Sequence, residues 1–142
     1  MFRRVTLRAL LLAPVLFAAP AQAADKLILS CFPLPAEGPV KIEAYVDATA
    51  DGEYPPKQIG AVRVLVRFGE DPYEYFPEQT KLSEIRNGVL RLHLFQPLSA
   101  GESAELRFEG KLPARKGEQF ALRMEIRAEN RVGRGQVRCT IE

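Results

Sequence analysis

The stretch Phe120-Ala-Leu-Arg-Met-Glu-Ile-Arg-Ala128 alternates apolar side chains with mostly charged ones, one residue at a time. Successive side chains of a β-strand point to opposite faces, so this pattern predicts a strand with one buried face and one face in water. The same period of two recurs over residues 27–31, 40–47, 62–68, 89–95, 103–109 and 137–141. The sequence therefore predicts an all-β domain in which each strand has one apolar face.

Turn-forming residues separate these segments. Gly and Pro occur at Pro55-Pro56, Asn87-Gly88 and Ala100-Gly101, where each favours a change of chain direction. Pro77 follows an aromatic segment and cannot donate a ladder hydrogen bond, which predicts a sheet edge or a crossing between sheets there. Only residues 78–86 have room for a helical turn. Short strands at regular spacing without an amphipathic helix indicate an antiparallel sandwich.

The first 23 residues have the three parts of an export signal. Three arginines precede an apolar run from Ala9 to Ala19, and Ala21-Gln22-Ala23 supplies the small-x-small pattern that signal peptidase reads. The run has about 11 residues, whereas a membrane-spanning helix needs about 20. We therefore expect cleavage before Ala24, bacterial export to the periplasm or the medium, and no membrane span in the mature protein.

Residues 24–142 then form a single domain of about 119 residues, a length that suits one hydrophobic core. Loss of the signal removes three arginines and leaves 17 basic against 18 acidic residues, a net charge of −1. A nucleic-acid-binding domain normally carries a basic surface. The composition therefore gives no support to nucleic acid as a partner.

The two cysteines lie near opposite ends of the mature chain. In an oxidising compartment, a single pair most simply forms one disulfide, here between Cys31 and Cys139. Both belong to the apolar set of their strands, which indicates that the first and last strands meet in a sheet. The alternative, a pair of metal-binding or redox thiols, lacks a nearby histidine, methionine or CxxC partner.

Part of the chain resembles a known class of domain. Pro97-Leu-Ser-Ala-Gly-Glu-Ser-Ala-Glu-Leu-Arg-Phe108 and Lys116-Gly-Glu-Gln-Phe-Ala-Leu-Arg-Met-Glu-Ile126 resemble strands and turns of bacterial extracellular immunoglobulin-like domains, in particular the cell-adhesion-related, CARDB-like kind. The resemblance covers residues 97–132. It implies an immunoglobulin-like β-sandwich of about 7–8 strands and a non-catalytic role, although antibody-type domains place their cysteines in a different pair of strands.

The stretch Asp47-Ala-Thr-Ala-Asp-Gly52 has the opening pattern of a calcium loop. Asp47, Thr49 and Asp51 occupy the first three ligand positions, and Gly52 stands where such a loop turns. The last position should be a glutamate but is Gln58. A polar connection between strands is the favoured interpretation, and Asp47, Thr49 and Asp51 remain a weak calcium candidate. No other metal and no cofactor is expected.

Catalytic patterns are missing from the sequence. His93 is the only histidine, and no nucleophile or orienting carboxylate stands at a recognisable offset from it. We interpret His93 as a structural residue and expect that the protein is not an enzyme.

The acidic and aromatic segment around Tyr73, Glu74, Tyr75 and Phe76 is the candidate partner-binding surface, since aromatic residues dominate interface energetics. The other interpretation is that these rings cap the core.

Two functions stay open. One is an exported accessory module that meets a protein or glycan through loops or an edge strand, and the other is a small periplasmic inhibitor of a lysozyme or protease. We expect a monomer, because Gly133 and Gly135 should kink or bulge the last strand and discourage edge-to-edge pairing.

Overall fold

The computed structural model describes residues 26–35 and 38–142, and the predicted signal peptide lies outside them. Strands make up nearly all the regular secondary structure of the described residues. They are β1 (Lys26–Pro33), β2 (Ile42–Asp51), β3 (Ile59–Phe68), β4 (Asp71–Tyr75), β5 (Thr80–Arg86), β6 (Val89–Pro97), β7 (Ser103–Lys111), β8 (Phe120–Ala128) and β9 (Arg131–Ile141). Single 3₁₀ turns at Pro77–Gln79 and Ser99–Gly101 complete the secondary structure.

All nine strands belong to one antiparallel sheet with the order β4-β3-β2-β1-β9-β8-β7-β6-β5. Neighbours in the sheet are consecutive in the chain except at its centre, where β1 pairs with β9. The prediction of an all-β antiparallel fold is therefore confirmed. The described residues form nine strands, above the expected seven or eight, and the neighbours in the sheet follow chain order.

The two edge strands account for the difference in count. β4 is short and contains Pro72, and β5 has no clean alternation of buried and exposed residues. Periodicity cannot detect such strands, because an edge strand need not bury one whole face. Residues 78–86, which the sequence leaves open to a helical turn, belong to a 3₁₀ turn and to β5. Pro77 starts that turn and carries the chain from one edge of the sheet to the other, as its position predicted.

The sheet curls so that its two ends approach each other. The Gln96 amide on β6 donates to the backbone carbonyl of Glu74 on β4 at 2.7 Å. The Tyr75 hydroxyl on β4 donates to the carbonyl of Ala104 on β7 at 3.2 Å. A third bond runs from the Ser83 hydroxyl on β5 to the Ile59 carbonyl on β3. These bonds join the half made of β1–β4 to the half made of β5–β9 around one interior.

The interior contains the apolar set that the alternation predicted. Each strand from β1 to β3 and from β6 to β9 buries every second side chain in a single hydrophobic cluster. Among the described residues, none that is polar or charged is fully buried. Burial of apolar area is therefore the main force that holds the curled sheet closed. The described part of the chain contains no helix that is long and apolar enough to cross a membrane.

The disulfide joins the two strands at the centre of the sheet. Cys31 on β1 lies directly opposite Cys139 on β9, and the two sulfur atoms are bonded. The pairing continues beyond the bridge, where the Ile28 amide donates to the Glu142 carbonyl at 2.7 Å. The predicted Cys31–Cys139 disulfide is thus present, and it fastens the ends of the described domain to each other.

The last strand differs from its prediction. β9 lies between β1 and β8 and is not an edge. Its register with β8 runs without a shift from Phe120 opposite Cys139 to Ala128 opposite Arg131, so the expected bulge at Gly133 and Gly135 is wrong. A Cβ atom at Gly133 would collide with Ile42 and approach the Phe68 ring to 3.0 Å. The glycine is needed because core side chains press against that point of the strand.

Candidate functional site

The outer face of β1–β3 carries a stripe of exposed apolar side chains, which we call the apolar rung. It consists of Phe32 on β1, Tyr45 on β2 and Leu65 on β3, which are 61%, 44% and 40% exposed. Tyr45 and Leu65 are direct cross-strand partners, and the Phe32 and Tyr45 rings meet edge to face with centroids 6.4 Å apart. Contiguous apolar groups on a water-facing sheet are uncommon in a monomer and mark binding surfaces.

A second row of side chains runs beside the apolar rung, and we call it the polar rung. Ser30 pairs with Asp47, and Asp47 pairs with Arg63, so one hydroxyl, one carboxylate and one guanidinium follow each other across the same three strands. The Arg63 guanidinium carbon lies 5.6 Å from the centre of the Phe76 ring, a distance at which a cation and an aromatic ring attract. Phe76 thereby closes one end of the row.

Between and around the two rungs lies an open groove of about 460 Å³. Its exposed lining combines the two rungs with two residues that follow β3 in the chain, Glu74 and Phe76. Leu65 is the cross-strand partner of Glu74, and Phe32 is the partner of Arg138, so the apolar rung ends in opposite charges. A concave, mostly apolar site with a few convergent polar groups is the usual form of a ligand site.

The outer face of β5–β9 carries charged side chains, unlike the outer face of β1–β3. Acidic and basic side chains alternate there along and across β5–β9. They form ion pairs with N–O distances of 2.9–3.7 Å. The residues in these pairs are Glu84, Arg86, Arg91, Glu105, Arg107, Glu109, Arg123, Glu125, Arg127 and Arg134. Hydrogen bonds from Arg127 keep the pKa of Glu125 below its usual range, against the effect of partial burial, and Arg134 adds to the shift. The charges there compensate each other, as is usual for a solvated strand face.

The predicted partner-binding residues separate into two pairs. Tyr73 and Tyr75 are 8% and 0% exposed, and their rings belong to the core. Burial raises the pKa of Tyr75, because the phenolate would lose its hydration. Glu74 and Phe76 point outwards into the groove. The segment therefore contributes one acidic and one aromatic side chain to the groove, whereas its tyrosines cap the interior.

The hydroxyl of Tyr73 belongs to a cluster that fastens β4 to the turn between β8 and β9. Arg131 donates to Asp71 at 2.8 Å and to the Tyr73 hydroxyl at 3.2 Å. That hydroxyl donates in turn to Glu129 at 3.3 Å, and the guanidinium carbon of Arg131 lies 4.4 Å from the centre of the Phe68 ring. Every group in the cluster has a partner, so its evident role is to hold the curled sheet in shape.

The calcium candidate lies on a strand and not on a loop. β2 extends to Asp51, so Asp47, Thr49 and Asp51 are alternate residues of an extended chain. Alternate residues of a strand are about 6.6 Å apart, whereas calcium needs its oxygen ligands at about 2.3–2.6 Å from one ion. Over residues 26–35 and 38–142, no group of three or more His, Cys, Asp and Glu side chains is arranged to hold a metal ion.

His93 lies on the charged outer face, one quarter exposed, with its Nε2 atom 3.6 Å from a Glu105 oxygen. Its direct cross-strand neighbours are Leu82 and Arg107. The sequence offered no orienting carboxylate for His93, but the structure brings Glu105 to it from β7, whereas Leu82 and Arg107 carry no nucleophilic group.

The apolar rung was missed as a site by reasoning from sequence, although a signal for it exists. Leu65 stands between Arg63 and Arg67 on the wet face of its strand, and Phe32 and Tyr45 are also out of phase with the buried set. An apolar residue on the water-facing side of an alternating strand breaks the pattern. Three such breaks on separate strands become a site only when the register places them side by side.

No protein-family model matches the chain, and neither a curated protein nor a solved structure matches it. The resemblance of residues 97–132 to CARDB-like domains therefore stays a prediction.

Proposed function

We propose that the protein is a non-catalytic binding or accessory module of the bacterial envelope, and that it meets a protein or glycan partner through the groove on β1–β3. The observation that carries the proposal is the apolar rung of Phe32, Tyr45 and Leu65 on an exterior that is otherwise rich in compensated charges. Exposing three adjacent apolar side chains favours association, because burying them removes apolar area from water.

Export to the periplasm or the medium is part of the same proposal. The signal-like residues 1–23 support it, and so does the disulfide, since such bonds persist in oxidising compartments. We further propose that the curled sheet serves as immunoglobulin-like sandwiches do, as a rigid two-layer frame that presents a binding surface. The module acts as a monomer.

The alternative is a small inhibitor of a lysozyme or protease. Such a protein typically inserts a protruding loop into the active site of its target, whereas the outstanding surface of this domain is a groove on a sheet face. The groove favours the binding module. A panel of lysozymes and proteases incubated with the protein separates the two, since an inhibitor abolishes the activity of its target.

The proposal predicts that contacts with a partner centre on the groove. A photo-crosslinking phenylalanine analogue at Tyr45 should trap a partner in intact cells or envelope extract. The same analogue at Phe95, a half-buried aromatic residue on the charged outer face of β6, is the matched control. Crosslinked products are read by mass spectrometry of the purified adduct. Equal crosslinking from both positions, or none from Tyr45, contradicts the proposal.

A further inference from the structure

We propose that the groove is a subsite for a neutral oligosaccharide, with one pyranose ring packed on the apolar rung and its hydroxyl groups bonded to the polar rung. This inference rests on the proposed function and narrows its partner to one chemical class. It is carried by the juxtaposition of exposed aromatic rings with a hydroxyl, a carboxylate and a guanidinium on the adjacent row.

The apolar rung has the chemistry that one face of a sugar needs. A pyranose ring presents C–H groups on one side, and these carry small positive partial charges that are attracted to the negative face of an aromatic ring. Phe32 and Tyr45 supply two rings at 90° to each other, and Leu65 extends the apolar surface by one strand. Three strands span about 10 Å, at about 4.8 Å per neighbour, which matches one or two sugar residues.

The polar rung has the chemistry that the rim of a sugar needs. Vicinal hydroxyl groups both donate and accept hydrogen bonds, so they pair with an acceptor and a donor side by side. Asp47 offers two acceptor oxygens and Arg63 a planar fork of donors, and both are exposed on adjacent strands. The hydroxyl group of the half-buried Ser30 can either donate or accept a hydrogen bond.

The charges of the groove favour an uncharged ligand. Asp47 and Arg63 compensate each other within the polar rung, and Glu74 and Arg138 stand at opposite ends of the apolar rung. A groove built for a phosphate or a carboxylate would carry an excess of one sign. Balanced acceptors and donors suit a ligand that is rich in hydroxyl groups and has no net charge.

A peptide strand fits the groove less well. The groove crosses the faces of β1–β3, whose backbone N–H and C=O groups are engaged in the ladders between these strands. Strand addition needs a free sheet edge, and β4, the edge strand beside the groove, already accepts the Gln96 amide at its Glu74 carbonyl. A whole protein or a second copy of the chain also fits poorly, because a stable interface buries about 1,600 Å² and needs about 20–30 residues a side. The groove exposes fewer than ten.

Titration calorimetry of the oxidised mature protein with defined oligosaccharides tests the inference. The probes are cellotetraose, maltotetraose and tetra-N-acetylchitotetraose, each at millimolar concentration, with a proline-rich peptide as the competing class of ligand. We expect at least one sugar to bind. Tyr45→Ala and Asp47→Asn should each weaken that binding by tenfold or more, whereas the matched control Phe95→Ala leaves it unchanged. Melting temperatures of the variants verify that each is folded.

The outcomes separate this inference from the function on which it rests. Sugar binding that depends on both Tyr45 and Asp47 supports a glycan subsite. No heat from any of the three sugars overturns the inference, and so does sugar binding that is indifferent to Tyr45→Ala. Tyr45-dependent binding of the proline-rich peptide also overturns it. If Tyr45 still crosslinks a protein in the envelope, the proposed accessory function survives while the glycan subsite fails.

Discussion

The position of a residue along its strand decides whether its side chain lies in the core or on the surface. Tyr45 and Tyr75 illustrate the two cases. Tyr45 is 44% exposed and stands in the groove, whereas Tyr75 is fully buried with its hydroxyl bonded to the Ala104 carbonyl. One residue type thus serves recognition at one position and closure of the curled sheet at the other. Substitution of Tyr75 should therefore affect stability, whereas substitution of Tyr45 should affect binding.

At the residue scale, Tyr75→Phe should lower the free energy of unfolding by about 1 kcal/mol at pH 7, since it deletes one buried hydrogen bond. Burial raises the pKa of Tyr75 above its ordinary value, so the folded protein keeps the phenol proton where the unfolded chain releases it. The stability of the unsubstituted protein therefore falls as the pH rises above about 10, by up to about 1.4 kcal/mol per pH unit from this group.

Urea unfolding followed at pH 7 and between pH 9.5 and 11.5 checks this expectation. The difference between the unsubstituted protein and Tyr75→Phe should shrink as the pH rises, because the variant lacks the titrating phenol. Tyr45→Phe is the control and should match the unsubstituted protein throughout. A difference that stays constant across the alkaline range would refute the assignment of the shift to Tyr75.

At the scale of elements, the strands are held in register by close contacts that tolerate little added volume. Gly110 near the end of β7 is the clearest case, since an added Cβ atom would lie 2.5 Å from the Ala121 carbonyl oxygen and 2.8 Å from Leu122 Cδ2. The carbonyl is backbone and cannot rotate away. β8 can therefore approach β7 at this point only because the residue has no side chain.

We expect Gly110→Ala to destabilise the protein by about 1–3 kcal/mol, the usual cost of overpacking a tight contact. Gly60→Ala in β3 is the matched control, because nothing lies within 4 Å of its added Cβ atom. That variant should stay within about 0.5 kcal/mol of the unsubstituted protein. Thermal unfolding by circular dichroism measures both. An equal effect of the two substitutions would show that β7 and β8 have room to separate.

At the scale of the whole molecule, the order of the sheet explains the placement of the disulfide. Each pairing except one joins strands that are neighbours in the chain and needs only a local connection. The exception is β1 with β9, which brings together residues 108 positions apart. This pairing unites the two halves of the sheet and carries the largest loss of chain entropy, so a covalent bond there has the greatest effect on the unfolded chain.

Replacing Cys31 and Cys139 together by alanine should therefore lower the free energy of unfolding by about 4–5 kcal/mol, the value of the chain-entropy model for a loop of about 100 residues. Urea unfolding of the oxidised protein and of the double variant gives the comparison, and a steeper dependence on urea is also expected, since the unfolded chain becomes less compact. A loss below about 1 kcal/mol would mean that the other contacts of β1 with β9 suffice to hold the halves together.

The local features of this protein could be predicted from its sequence. Alternation identifies the buried set of β1–β3 and β6–β9 because a period of two is a property of a single strand. Both cysteines belong to that buried set, and this placement predicts the disulfide between them. The edge strand β5 was not predicted because it lacks the alternation, and β4 was not predicted because it has only five residues and contains Pro72, so that the burial of Tyr73 and Tyr75 could not be distinguished from exposure.

The position of the groove, in contrast, follows from the way the strands pair. Phe32, Tyr45 and Leu65 come from three strands, and each alone is an unremarkable exposed apolar residue. The register between the strands places them side by side, and the pairing of β4 with β3 adds Glu74 beside Leu65 and brings Phe76 next to Arg63. Register and curl result from packing across the whole interior, a collective property that no single segment of sequence contains.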